Sequence, residues 1–226
     1  MAKFVSVKRL RYEERMDDPS PPPEKARRNR SQTEGRLRQA VEDLLVEGGF
    51  GALTPSAVAR RAGVDKMLIY RYFGDLPGLV RSIAFAPDFF PTFEDLCGND
   101  SVADLLALPV GARAARILDR NARALMERPV VLELMVWELV ERNELTAIME
   151  EARESLGFRL LTELFPDVAD KTRLGTMSAV LSAGVAYLAL RRRKIRWYSG
   201  VDLKSDDGWR AILGAIQAMA ACLDGG

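Results

Sequence analysis

The chain has 226 residues, 48% of them hydrophobic and 29% charged, with a formal net charge of +1. That is enough for one large helical domain, or for a small domain joined to a larger one. It contains no histidine, which excludes Ser-His-Asp and Cys-His catalysis and every His-ligated zinc, iron or haem site.

Carboxylate-only metal sites and carboxylate acid/base pairs stay open, but no spacing selects one. Neither an enzyme, a metal site nor a cofactor is therefore expected. The two cysteines, Cys97 and Cys222, form no CxxC and read as reduced, partly buried thiols. The near-zero net charge conceals an asymmetry. Residues 1–73 carry 15 basic and 10 acidic side chains, and residues 74–226 carry 18 and 22. Within 25–38, KARRNRSQTEGRLR, six basic residues stand against one acid. A basic front on a weakly acidic body suits a chain whose front meets a polyanion. The longest nearly unbroken apolar run, Met177 to Leu190, has 14 residues, short of the ~20 needed to span a bilayer. The start, MAKFVSVKRLRYEERMDD, lacks the apolar segment of a secretory signal. The expected location is the cytoplasm, without membrane contact.

Residues 1–24 read as an arm ending in DDPSPPPE, whose prolines favour an extended spacer. Within the arm, FVSVKRLRY alternates weakly, as a short strand or as unstructured chain. The first helix is expected from about Ser31 to Glu47. Ser31 and Glu34 have capping-box spacing, and Leu37, Ala40, Val41, Leu44 and Leu45 share a face. Gly48 and Gly49 stop it, and Phe50 and Leu53 fold back as apolar plugs. Thr54-Pro55 opens a second helix with Val58, Ala59 and Ala62 inward and Arg60 and Arg61 outward. Gly63 ends that helix, and Asp65 caps a third, Lys66 to Phe73. A fourth starts near Asp75, with Pro77 in its first turn.

Residues 87–99, with Pro87, Pro91 and Gly98, read as a loop. Further helices are expected from Ser101, over 110–127, 129–143, 144–165, 167–193 and 206–223. Val-rich alternating runs bounded by turns are absent, so no sheet is expected. The domain boundaries are then 1–24 for the arm, 25–86 for a helix-turn-helix domain with a linking helix, and 87–226 for a helical body.

The stretch PSAVARRAGVDKMLIYRYF carries the functional expectation. Two short helices joined by a Gly-containing turn, the first small-faced and the second basic and aromatic, fit a helix-turn-helix. Ala59 and Ala62 allow a close crossing, while Val64 and Ile69 anchor the second helix. Ile69 and Phe73 face inward, leaving Lys66, Met67, Tyr70, Arg71 and Tyr72 outside, on a helix that fits the major groove. The competing reading is a helical hairpin with solvated charges.

From Ser31 to about Phe85, through EGGFGALTPSAVARRAGV and DKMLIYRYFGDLPGLV, the chain resembles the N-terminal domain of TetR-family transcriptional regulators. The resemblance covers about a quarter of the chain. It implies an all-α homodimer: a three-helix DNA-binding domain, a linking fourth helix and a C-terminal helical domain that binds a small molecule and dimerises. By position, Thr54 and Ser56 would touch phosphate, and Lys66, Tyr70 and Arg71 would hold phosphates. Met67 and Leu68 would approach base edges of double-stranded DNA carrying a palindromic operator. Arg27, Arg28 and Arg30 precede the first helix, where family arms reach the minor groove or phosphates. Two positions depart from the family pattern: Met67 replaces a small residue, and Leu76 stands where Lys is common. The implied function is a repressor released by a small-molecule ligand. The alternative is a helical protein-interaction module that has lost DNA binding.

In the body, VVLELMVWELVERN offers Met135 and Trp137 as pocket walls and Glu133 and Glu138 as partners for a cationic ligand. Met126, Phe158 and Tyr187 lie on flanking helices. Equally, Leu132, Met135 and Val136 read as core beside solvated glutamates. SAVLSAGVAYLAL places Ser178, Ala179, Ser182, Ala183 and Ala186 where helices can approach closely. Trp209, Ile212, Leu213, Ile216 and Met219 stripe the last helix. By the resemblance, both helices pair with symmetry mates in a four-helix bundle; burial within one subunit is the other reading. RRRKIRW at 191–197 reads as a second phosphate patch or as a complement to a helix C-terminal dipole.

Overall fold

The computed structural model describes residues 24–225; the remainder of the expected arm and Gly226 lie outside the described residues. Eleven α-helices follow one another: α1 (Glu24–Gly48), α2 (Pro55–Ala62), α3 (Met67–Phe73), α4 (Leu76–Ala84), α5 (Phe93–Cys97), α6 (Val102–Leu106), α7 (Val110–Met126), α8 (Pro129–Glu138), α9 (Glu144–Glu163), α10 (Lys171–Lys194) and α11 (Asp206–Ala220). The architecture is all-α, as expected: an N-terminal helix-turn-helix unit, α1–α4, packed on a helical body, α5–α11.

The N-terminal core is the one the apolar spacing indicated. Leu37, Val41 and Leu45 of α1 meet Val58, Ala59 and Ala62 of α2 and Ile69 of α3, with Phe50 and Leu53 plugging the corner between α1 and α2. Thr54 Oγ1 accepts the Ala57 amide and Asp75 Oδ1 accepts the Gly78 amide, each satisfying an orphan donor at a helix start. In the body, α7 is the central helix, flanked by α5, α8, α10 and α11.

Several details differ from expectation. Helix α1 begins at Glu24, seven residues before Ser31, so Ser31 is not its cap and Glu34 pairs with Arg30 instead. The stretch EKARRN holds no breaker, and helix runs back to the end of the Pro run. The expected loop 87–99 contains α5, started by a Thr92–Asp95 capping box and held by buried Phe93 and Leu96. Helix α8 stops at Glu138 instead of running to Asn143, because Asn143 caps α9 through the Leu145 and Thr146 amides. A two-stranded antiparallel ladder, β1 (Trp197–Tyr198) and β2 (Val201–Asp202), joins α10 to α11. Its turn, Ser199-Gly200, has positive φ at both central residues, as two-residue hairpins require. Of the cysteines, Cys97 is buried but Cys222 is exposed.

One buried charge fastens the body. Arg113 on α7 is 1% exposed. Its guanidinium donates to the carbonyls of Leu164, Leu106 and Leu108 and to both oxygens of Asp167. Helix α7 is thereby tied to the ends of α6 and α9, whose last carbonyls have no helical donors. The Arg113 hydrogen bonds hold the Asp167 carboxyl below the usual carboxylate range. Its contribution to stability is therefore present above the unfolded value, about 3.9, and is lost as pH falls through the lower folded value. Replacing Arg113 with Met leaves the buried Leu164 carbonyl and the part-buried Leu106 and Leu108 carbonyls without this donor and should cost about 1–3 kcal/mol in urea unfolding for each that water does not reach. Asp167→Asn keeps the carbonyls' donor but leaves the buried Arg113 guanidinium without its counter-charge, so it too should destabilise, and it should flatten the acid limb of the stability profile as Arg113→Met does.

Candidate nucleic-acid interface

The geometry of α3 follows from its two anchors. Gly63 adopts φ 62°, ψ 42°, the left-handed conformation that lets α2 end and the chain turn sharply. Arg36 of α1 donates to the carbonyls of Ala62 and Gly63, the latter at 2.6 Å, and so holds the turn from below. Asp65 Oδ1 accepts the Met67 amide at 2.8 Å and sets the start of α3. Ile69 then points into the core at 0% exposure, while Met67 and Tyr70 on the other faces are 60% and 43% exposed.

Charge partners divide the basic residues of this unit. Arg61 forms an ion pair with Glu47 and approaches Asp43, clamping α2 to α1. Its hydrogen bonds hold the Glu47 carboxyl below its ordinary range. Arg38 is paired with Asp88 and Arg81 with Glu151. Lys66 and Arg71 are exposed and enter no ion pair among the described residues, as does Arg60 on α2. The neighbouring acids Asp65 and Asp75 are engaged with backbone amides. The surface of α3 therefore offers uncompensated positive charge beside a phenol, the complement of a phosphate-lined groove.

Thr54 and Ser56 are exposed at the start of α2, and Leu68 is half-buried on α3. Tyr72 is also half-buried, with the Arg30 guanidinium 4.9 Å from its ring centroid. Arg28 and Arg30 lie on α1 and not on an arm before it, and Arg30 is occupied by Glu34 as well as by Tyr72. The helix carries on through these positions because nothing in EKARRN breaks it.

Two residues with no local sequence signal seat the unit on the body. Trp137 of α8 lies so close to Gly49 that a Cβ there would sit 2.6 Å from its ring. Beyond α8, Glu141 accepts the Gly51 amide at 2.9 Å. The Arg81–Glu151 pair ties α4 to α9. Trp137, read from sequence as a pocket wall, sits at this joint, where Gly49 leaves room for its indole.

The other candidate ligand residues do not converge on one cavity. Glu133 pairs with Arg193 and Glu138 with Arg153, so neither is free for a cationic ligand. Burial pushes the Glu138 carboxyl up, against the Arg153 hydrogen bond. Met135 packs on the core, Phe158 is 71% exposed, and Tyr187 is exposed edge-on to Tyr198. Met126 lines two cavities, of about 290 and 600 Å³, which also share Arg192. On α10, Ala179 and Ala183 are exposed and Ala186 half-buried. On α11, Met219 is exposed and Leu213 half-buried, but Trp209, Ile212 and Ile216 belong to the subunit's own core. The side of α11 that carries them packs against α7.

Residues 37–83 match the family model for bacterial regulatory proteins of the tetR family. The N-terminal unit is a TetR-family DNA-binding domain. No curated protein matches the chain. Among solved structures, the chain is similar to a TetR-like transcriptional regulator from Rhodococcus sp. RHA1, at 15% identity and TM-score 0.52, over 83% of this chain and 93% of that one. At that identity the likeness establishes the fold, and it extends the TetR-like arrangement through the body. A TetR-family regulator from Streptomyces coelicolor A3 also aligns, at 15% identity and TM-score 0.43, over 84% of this chain and 96% of that one.

The TetR-type domain yields a contrast within one helix. Ile69→Ala should cost about 2–5 kcal/mol of stability, whereas Tyr70→Ala and Arg71→Ala should each stay within about 0.5 kcal/mol. Thermal or urea unfolding of the three variants measures it.

Proposed function

We propose that this chain is a homodimeric transcriptional repressor that binds a palindromic operator and is released by a small-molecule effector. The observation that carries the DNA-binding part is the exposed face of α3, with Lys66 and Arg71 in no ion pair among the described residues, beside Tyr70 and Met67 on a helix locked by Ile69 and Arg36. Thr54, Ser56, Lys66, Tyr70 and Arg71 position the domain on phosphates, and Met67 and Leu68 meet base edges. Met67 brings a long apolar side chain to the groove, suited to a thymine methyl.

Two such domains read successive major grooves when they lie about 34 Å apart. The outer face of α10 supports the pairing. Ala179, Val180, Ala183, Gly184 and Tyr187 are all exposed there, with Val180 at 67%. Gly214, Ala215, Ala218 and Met219 continue the exposed strip on α11. Apolar and small, this surface suits close helix approach in an isologous contact. An effector in the body acts only through its differential affinity for two head spacings. The joint at Trp137, Glu141 and Arg81 is the path by which the body holds the head. A repressor of this type works in the cytoplasm.

Selection of bound sequences from a random duplex pool tests the assignment. The native chain should enrich a palindrome with half-sites about one helical turn apart, and the Tyr70→Ala/Arg71→Ala double variant should enrich nothing. No enrichment by folded, dimeric protein at low salt would instead favour a protein-interaction module. Ala183→Glu places a charge in the α10 contact, and sedimentation should show the dimer converted to monomer with the helical content unchanged.

A further inference from the structure

The basic run at the end of α10 is larger than a helix terminus calls for. Arg191, Arg192, Arg193 and Lys194 occupy the last turn, whereas the carbonyl end of a helix presents roughly half a negative charge. Some of these cations are engaged. Arg193 is paired with Glu133, and Arg191 lies 5.9 Å from the Tyr187 ring centroid.

Arg192 is different. Its Nε donates to the Leu203 carbonyl at 3.0 Å, and that same oxygen accepts Trp209 Nε1 at 2.8 Å. The guanidinium is thus oriented through one nitrogen, and it forms no ion pair among the described residues. It lies half-buried between the two adjoining cavities, of about 290 and 600 Å³, and lines both. Lys204, exposed and without an ion pair among the described residues, stands on the rim of the smaller one. The floor of that cavity is hydrocarbon from Met126, Leu132 and Ala189. Among the described residues the lining of the smaller cavity contains no acid. Nearby, Glu133 is taken by Arg193 and Asp119 by Arg123, and Asp206 borders the larger cavity.

An apolar floor beneath two uncompensated cations selects an amphipathic anion. We infer that the cavity between α7, α8 and α10 binds a small molecule with a carboxylate or phosphate head and a short apolar body. The head is held by Arg192 and Lys204, and the body lies on Met126, Leu132 and Ala189. The inference rests on the proposed effector-responsive function only for its consequence, release of DNA; binding itself does not depend on it.

The test uses the full chain without DNA. Octanoate and octyl phosphate, both below micelle formation, are titrated calorimetrically, with octanol and octylammonium as uncharged and cationic controls. Saturable binding of one or both anions at one site per chain is expected, and which of the two binds identifies the head. Arg192→Gln and Lys204→Gln should each weaken it about ten-fold, the loss of one charge-assisted contact. Lys204 is exposed and unpaired, so its variant keeps the fold even if Arg192→Gln does not. Absence of binding by either anion, equal binding of octanol, or binding unchanged in Lys204→Gln would overturn the inference. Anisotropy of a selected duplex, measured separately, reports release. Anion binding without release keeps the site and removes its effector role, whereas failure to bind any duplex removes the proposed function and leaves the site standing.

Discussion

The seating of Trp137 against Gly49 sets the geometry on which the rest of the molecule depends. Gly49 has φ 68° and no side chain, and the α8 indole fills the space a Cβ would take. With the Gly51 amide on Glu141 and Arg81 on Glu151, this contact fixes the DNA-reading unit relative to the body. The contact is made at the corner between α1 and α2, before the start of α2 and away from the Gly63 turn that ends it. A displacement of α8 therefore reaches α3 only through α1 and α2.

What could be read from the sequence was local. The hairpin of α2 and α3 was legible because its determinants lie within a few residues of one another: Thr54 before Pro55, small Ala59 and Ala62 at helical spacing, Gly63 at the turn, Ile69 inside. The start of α1 was misplaced because Ser31–Glu34 satisfies a capping pattern inside a stretch with no breaker. The surroundings of the candidate ligand residues were not legible. Glu133 and Glu138 look alike on α8, yet each is claimed by an arginine 60 or 15 residues away. Trp137 looked like a pocket wall because nothing nearby shows that Gly49, in the corner after α1, makes room for it. Arg113, with partners up to 54 residues distant, gave no local sign of burial.

The arginines give the chain a common constructional device. Arg36 binds the carbonyls at the end of α2, Arg120 those of Leu96 and Cys97 at the end of α5, Arg113 that of Leu164 after α9, and Arg173 that of Cys222. Short helices leave a large share of their carbonyls without donors, and a planar guanidinium satisfies two at once. Much of the positive charge that composition displays is consumed internally in this way. The excess over the acids in the first 73 residues therefore overstates what is available outward, and Arg60, Lys66 and Arg71 matter out of proportion to their number.

The 14-residue nearly unbroken run is too short for a bilayer, but helix α10 as a whole is long and apolar enough by composition to cross one; its inner face, Leu174, Leu181, Val185 and Ala189, is built into the body, while only 22% of its most apolar window is buried. A lone chain in water would carry that outer hydrocarbon uncovered, at a cost that scales with its area. On the proposed pairing, covering this face and keeping the chain in solution are one property. A substitution there that blocked the cover without adding charge would produce insoluble protein before it produced a defective regulator, so variation on this face is filtered by solubility ahead of any effect on gene control.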